Sequence, residues 1–135
     1  MSQKYVNDLS YQIVGCAIEV HKYLGPGLLE TVYEACFINE LNSKKLANNV
    51  QVRVPIKYKN KDLGSYLVID VLVENLIIVE LKAVEQMNPL YKAQLLSYLK
   101  LTGKPKGLLI NFNSVTITKD LRPFVTDVFQ ELPKE

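Results

Sequence analysis

No apolar run among these 135 residues approaches the roughly 20 that a membrane-spanning helix needs, since stretches such as Leu76 to Val79 and Leu108 to Ile110 are soon cut by polar residues. The start, MSQKYVNDLS, lacks the basic segment, apolar stretch and small-residue cleavage site of a secretory leader, so a cytoplasmic location with no membrane association is expected. Cysteine is scarce: Cys16 and Cys36 fall in helical patterns and read as buried free thiols, with a disulfide as the alternative. His21 is the only histidine and lies beside an apolar helical stripe, where a structural role is expected. There is no Cys/His zinc spacing, no Gly-rich phosphate loop and no Ser-centred nucleophile motif, so ATP-driven chemistry is not indicated. Charge of one sign is missing too. Sixteen Lys and Arg against 14 Asp and Glu leave a net charge of +2, so any phosphate-binding face must be local.

What is present is the composition of a folded protein, 48% hydrophobic and 22% charged, with a length that fits one domain over residues 1–135. Leu9, Ile13, Ala17, Val20 and Leu24 recur at helical spacing, which predicts a first helix from Asp8 to Leu24 with Asn7 or Asp8 as its cap. Gly25-Pro26-Gly27 ends it. A second helix follows, with Leu29, Val32, Tyr33, Cys36, Phe37 and Leu41 as its stripe and Glu30 in its first turn.

Residues 50–58 alternate strictly between apolar and polar, and Pro55 marks that strand as an edge. After a turn over Lys59 to Gly64, Ser65 to Val73 and Leu76 to Val84 are apolar on nearly both faces and read as central strands. A third helix over Leu90 to Leu101 and a strand over Gly107 to Phe112 imply a right-handed parallel crossover. Asn113-Ser114 reads as a turn into Val115 to Thr118, and the tail from Asp120 to Glu135 carries only a weak signal. The fold class is α/β in the α+β sense, a mixed sheet with helices packed on it.

Two strands place charge where apolar residues are expected. Glu80 and Lys82 share a face with Leu76, Ile78 and Val84, and Asp70 shares one with Tyr66, Val68 and Leu72. Burying an isolated carboxylate costs several kcal/mol unless it is paired or binds a metal. One explanation is a structural salt bridge between Lys82 and either carboxylate, or a strand whose polar face meets water. The other is a divalent-cation site, because two carboxylates suit hard ions such as Mg²⁺ or its substitute Mn²⁺, with Lys82 aimed at a phosphoryl group.

Asp70, a strand turn, then Glu80-Leu81-Lys82 resembles the PD-(D/E)xK nuclease signature, on the restriction-endonuclease-like order helix, strand, strand, strand, helix, strand. Gln94 to Tyr98 resembles the QxxxY motif of RecB-like members, and Glu30 matches their extra helical carboxylate. Gly27-Leu28-Leu29-Glu30-Thr31-Val32-Tyr33 is similar to the motif of the small bacterial GxxExxY family, a resemblance running from about Ile13 to Phe112. It implies a hydrolase cleaving DNA or RNA. Asp70, Glu80 and the Leu81 carbonyl would be its metal ligands and Lys82 its catalytic cation. Glu30 would reach the metal through water, and Gln94 would orient Lys82 or a phosphate. Tyr91 departs from the pattern, since members often carry His there. The alternative is a non-catalytic nucleic-acid-binding or protein-interaction module on the same fold. A homodimer or an accessory protein is left open, with no coiled-coil or symmetric signature for either.

The metal reading sets a condition on register. A two-residue turn at Glu74-Asn75 would pair Asp70 with Val79, so an odd-numbered connection such as Glu74-Asn75-Leu76, with Val73 opposite Ile77, is required. Tyr33 and Tyr98 are read mainly as core residues. Lys57, Lys59 and Lys61, and Lys100, Lys104 and Lys106, form two groups that read as solvated charge or as phosphate contacts.

Overall fold

The structure, a computed structural model, describes residues 1–135. Helices α1 (Gln3–Leu24) and α2 (Glu30–Ser43) precede strands β1 (Asn48–Tyr58), β2 (Lys61–Val73) and β3 (Ile77–Lys82). Helix α3 (Pro89–Thr102) leads to β4 (Lys106–Asn111), and a 3-10 turn (Ile117–Asp120) leads to β5 (Leu121–Val125) and the short α4 (Asp127–Gln130). The sheet runs in the order β1-β2-β3-β4-β5 and is antiparallel throughout except for the β3–β4 pair, which is parallel, as a strand-helix-strand crossover requires. This is the mixed α+β fold expected from the element pattern. No helix is long and apolar enough to cross a membrane.

Helices α1 and α2 cover one face. Ile13, Cys16, Ala17, Tyr33, Phe37 and Leu41 join Val71, Val73, Val79, Leu81 and Ile110 in one buried cluster. Helix α3 covers the other face, where Leu95 and Leu99 meet Leu72, Ile78 and Leu109. A side chain on β3 therefore belongs to one helical layer or the other by parity alone. The helix ends are closed by local chemistry. Asn88 Oδ1 accepts from the Leu90 N–H at 2.9 Å at the start of α3, and Gly103, in the left-handed region at φ 68°, ends it by donating to the Leu99 carbonyl at 2.9 Å.

Several boundaries differ from the sequence reading. Helix α1 begins five residues earlier than Asp8, because Ser2 Oγ accepts from the Tyr5 N–H at 3.1 Å and the Pro133 and Lys134 carbonyls accept from the Gln3 and Lys4 amides. The first hairpin turns at Lys59-Asn60 alone, both left-handed, so 61–64 is strand and not turn. The tail contains a fifth strand and a helical turn that its weak pattern did not announce.

Strict alternation also fails at one point. Val71 and Val73 pack in the first cluster, but Leu67 and Ile69 pack in the second, together with Val52, Val54 and Ile56 of β1. The hairpin exchanges faces around Asp70, where Gln51 across the β1–β2 pair has φ 52° and drops out of the ladder. As a result Tyr66, expected to share a buried face with Asp70, is exposed and stacks under the Arg53 guanidinium.

Candidate functional site

The β2–β3 connection is Glu74-Asn75-Leu76, with Val73 opposite Ile77 and Val71 opposite Val79, which is the odd-numbered connection that the metal reading demanded. Glu74 and Asn75 both adopt left-handed φ, at 52° and 54°. The turn is held by the residue that precedes β1. Ala47 accepts from the Glu74 N–H at 2.7 Å and donates its own N–H to the Glu74 carboxylate. Continuing the register one step sets Asp70 across from Glu80.

At that step the ladder opens. Asp70 Oδ2 accepts from the Leu81 N–H at 2.9 Å, so a side chain takes the place of a backbone acceptor and the two strands fork. On the other edge of β3, the Lys82 carbonyl accepts from the Phe112 N–H at 2.8 Å. Backbone polar groups alternate edges along a strand, so the Leu81 carbonyl lies on the β2 side with its N–H, toward Asp70. The Leu81 side chain is fully buried in the first cluster, leaving only its main chain for the site.

Glu80 is 6% exposed, and its Oε1 is buried without any hydrogen-bond partner. Burial and the adjoining Asp70 carboxylate push its pKa from 4.5 up to about 10, against a smaller opposing pull from Lys82. A buried polar atom left unpaired beside a second carboxylate is costly for the bare protein and is what a hard cation would relieve. The donor set therefore fits a divalent metal held by Asp70, Glu80 and a main-chain oxygen. No group of three or more His, Cys, Asp or Glu side chains gathers tightly enough to hold a metal by itself, so the remaining ligands would be water or substrate.

Lys82 forms no ion pair. The one salt bridge in the chain is Lys4–Asp8 at 2.7 Å, which disposes of the structural-bridge explanation for the charges on β3. The Lys82 ammonium lies instead 4.4 Å from the centroid of the Tyr91 ring on α3. Tyr91, where the sequence resemblance would place a His, is thus in direct contact with the expected catalytic cation.

Glu30 approaches from α2. It is half-buried, and desolvation first, then the Asp70 charge, raise its pKa, while Lys82 lowers it. It makes no direct hydrogen bond to the fork. Its place is fixed by Tyr33, which stacks on Phe112 with centroids 4.8 Å apart and donates its hydroxyl to the Gly25 carbonyl at 2.6 Å while accepting from the Leu28 N–H at 3.1 Å. Tyr33 is a core residue, as expected, and it also pins the Gly25-Pro26-Gly27 loop from which α2 starts.

Gln94 lies one helical turn from both Tyr91 and Tyr98 on α3, but its side chain is exposed and bonds to no site residue. Tyr98 is half-buried, and burial followed by the Glu80 and Asp70 charges raises its pKa. Two residues escaped the sequence reading. Glu34, one turn beyond Glu30, accepts from Gln51 Nε2 at 3.2 Å, and its pKa is raised by burial and by Asp70. The i,i+4 spacing from Glu30 was the available signal for Glu34. None existed for Gln51, which looks like an ordinary strand residue. Asn111, also buried, clasps the segment after Lys82: Oδ1 accepts from the Val84 N–H at 3.1 Å and Nδ2 donates to the Val84 carbonyl at 2.9 Å.

Other expectations resolve simply. Cys16 is buried and Cys36 half-buried, both as free thiols. His21 Nε2 bonds to the Ser114 carbonyl at 2.6 Å, away from the fork. Lys106 does not belong to a solvated cluster; it is buried, and its ammonium donates to Asn7 Oδ1 at 3.2 Å. Among known families, residues 7–124 match the one described as PD-(D/E)XK nuclease superfamily. No curated protein and no solved structure matches the chain.

Proposed function

The chain belongs to the PD-(D/E)XK nuclease superfamily, and from that membership we propose that it is a metal-dependent nuclease hydrolysing phosphodiester bonds of DNA or RNA at the β2–β3 fork. The observation that carries this reading is the buried Glu80 carboxylate, whose Oε1 has no partner, set against Asp70. We assign the chain to the GxxExxY group on Gly27, Glu30 and Tyr33, as one cytoplasmic domain over residues 1–135.

In this reading Asp70, Glu80 and the Leu81 carbonyl hold Mg²⁺, or Mn²⁺ in its place. When bound, the ion supplies Lewis acidity at the phosphoryl oxygen. Lys82 offsets the negative charge that develops as water attacks the phosphorus, an electrostatic role that needs its ammonium held in place before the reaction. Glu30 orients a water from the α2 side, and Gln94 swings from its exposed position to contact the phosphate or Lys82. The alternative reading is a nucleic-acid-binding or protein-interaction module that keeps the fold without turnover.

A mixed panel of labelled DNA and RNA, incubated with the protein and Mg²⁺ or Mn²⁺, separates the two. The nuclease reading expects cleavage that disappears with EDTA and in Lys82→Ala. Cleavage that survives both controls would belong to a contaminant, and no cleavage under any condition would favour the binding module.

A further inference from the structure

A cavity of about 310 Å³ lies between the first turn of α3 and β5. Its lining includes Lys92, Arg122, Asp120, Phe124, Met87 and Leu109. Leu109 stands opposite Glu80 in the parallel β3–β4 ladder and packs in the α3-side cluster with Ile78, the layer to which Glu80 belongs by parity. Neighbouring strands are about 4.8 Å apart, so the floor of this cavity is one strand away from the fork.

The walls carry the three chemistries of a nucleotide. The Lys92 ammonium is 5.6 Å from the Phe124 ring centroid, and neither Lys92 nor Arg122 is engaged in an ion pair. Arg122 Nη1 is braced by the Lys119 and Leu121 carbonyls, which aims the guanidinium without neutralising it. Phe124 and Met87 give an apolar surface for a base. Asp120, also unpaired, would repel a bare phosphate but accepts from the donor edge of a base. A free anion fits this set poorly, and a nucleotide fits all of it.

We propose that this cavity is a subsite for the nucleotide flanking the scissile phosphate, with its base against Phe124 and its phosphate between Lys92 and Arg122. The word scissile rests on the nuclease reading; the binding chemistry does not. The test is therefore made without metal or turnover. In EDTA, the ¹⁵N-labelled protein is titrated with nucleoside 5′-monophosphates and, separately, with inorganic phosphate, while amide shifts are followed by NMR.

The nucleotides are expected to shift Lys92 and residues 120–124 saturably, and to bind more tightly than phosphate. Lys92→Ala and Arg122→Ala, both exposed positions, are each expected to weaken that binding by about fivefold or more. Phe124→Leu should weaken the nucleotides and spare phosphate. Phosphate binding as tightly as nucleotide, shifts confined to Lys57, Lys59 and Lys61, or no saturable shift at all would each overturn the subsite. Loss of nucleotide binding with cleavage intact refutes the subsite alone. Intact binding in a protein that never cleaves supports the subsite and refutes the nuclease reading alone.

Discussion

Lys82 and Tyr91 show how much one side chain's surroundings decide. An ammonium over an aromatic face gains about 0.5–2 kcal/mol, enough to hold a flexible four-carbon chain in one orientation. Tyr91→Leu is accordingly expected to lower kcat by roughly fivefold or more with KM little changed, and Tyr91→Phe to restore it, because the ring and not the hydroxyl does the holding. Glu80 makes a second prediction. Its folded pKa lies above its ordinary 4.5, so between that value and about 10 the folded state holds a proton that the unfolded state has released. Stability of the metal-free protein must then fall as pH rises through this window. Glu80→Gln should remove that slope and stabilise the metal-free protein at neutral pH by roughly 1–3 kcal/mol, while abolishing metal binding; thermal melts in EDTA from pH 5 to 9 read both. Asp70, Glu80 and Lys82 were legible in the sequence because charges on apolar strands stand out. Gln51 and the Tyr91 contact were not, since each depends on which elements meet in space, and Glu34 was signalled only by its i,i+4 spacing from Glu30.

At the scale of elements, the β2–β3 turn decides whether there is a site at all, because a one-residue slip would send Glu80 and Lys82 to the α1–α2 side. The sequence stated this condition without resolving it. What settles the register is the tie between Glu74 and Ala47, a contact between segments 27 residues apart. The loop before α2 has a comparable tie in Tyr33. Removing its hydroxyl in Tyr33→Phe is expected to cost about 1–2 kcal/mol, visible as a lower denaturant midpoint and faster proteolysis at Gly25 to Gly27, with metal-dependent activity reduced through Glu30. Packing of α3 on the sheet has its own tight point. A Cβ at Gly107 would stand 2.8 Å from Leu95 Cδ1, so Gly107→Val is expected to destabilise by about 1–3 kcal/mol in urea unfolding. Helix α3 and strands β2 to β4 were readable from period and punctuation. Strand β5 was not: it is a short, half-exposed edge holding Arg122 and Pro123, and it pairs only because β4 offers it an open side.

Across the whole molecule, the two ends of the chain close on each other. The Gln3 and Lys4 amides donate to the Pro133 and Lys134 carbonyls, and Gln3 Nε2 reaches the Phe129 and Leu132 carbonyls, which satisfies helix-end donors that the sequence left unassigned. Against that closed frame the fork between β2 and β3 is the one place where a buried side-chain oxygen goes without a partner. In the proposed function a divalent cation completes it. Mn²⁺ binding followed by electron paramagnetic resonance, on the wild-type chain beside Asp70→Ala and Glu80→Gln, tests this without requiring a substrate. Saturable binding with a Kd in the low-millimolar range or tighter, lost in both variants, is expected. Binding that both variants retain at wild-type strength, or no saturable binding by the wild-type protein, would contradict the metal reading.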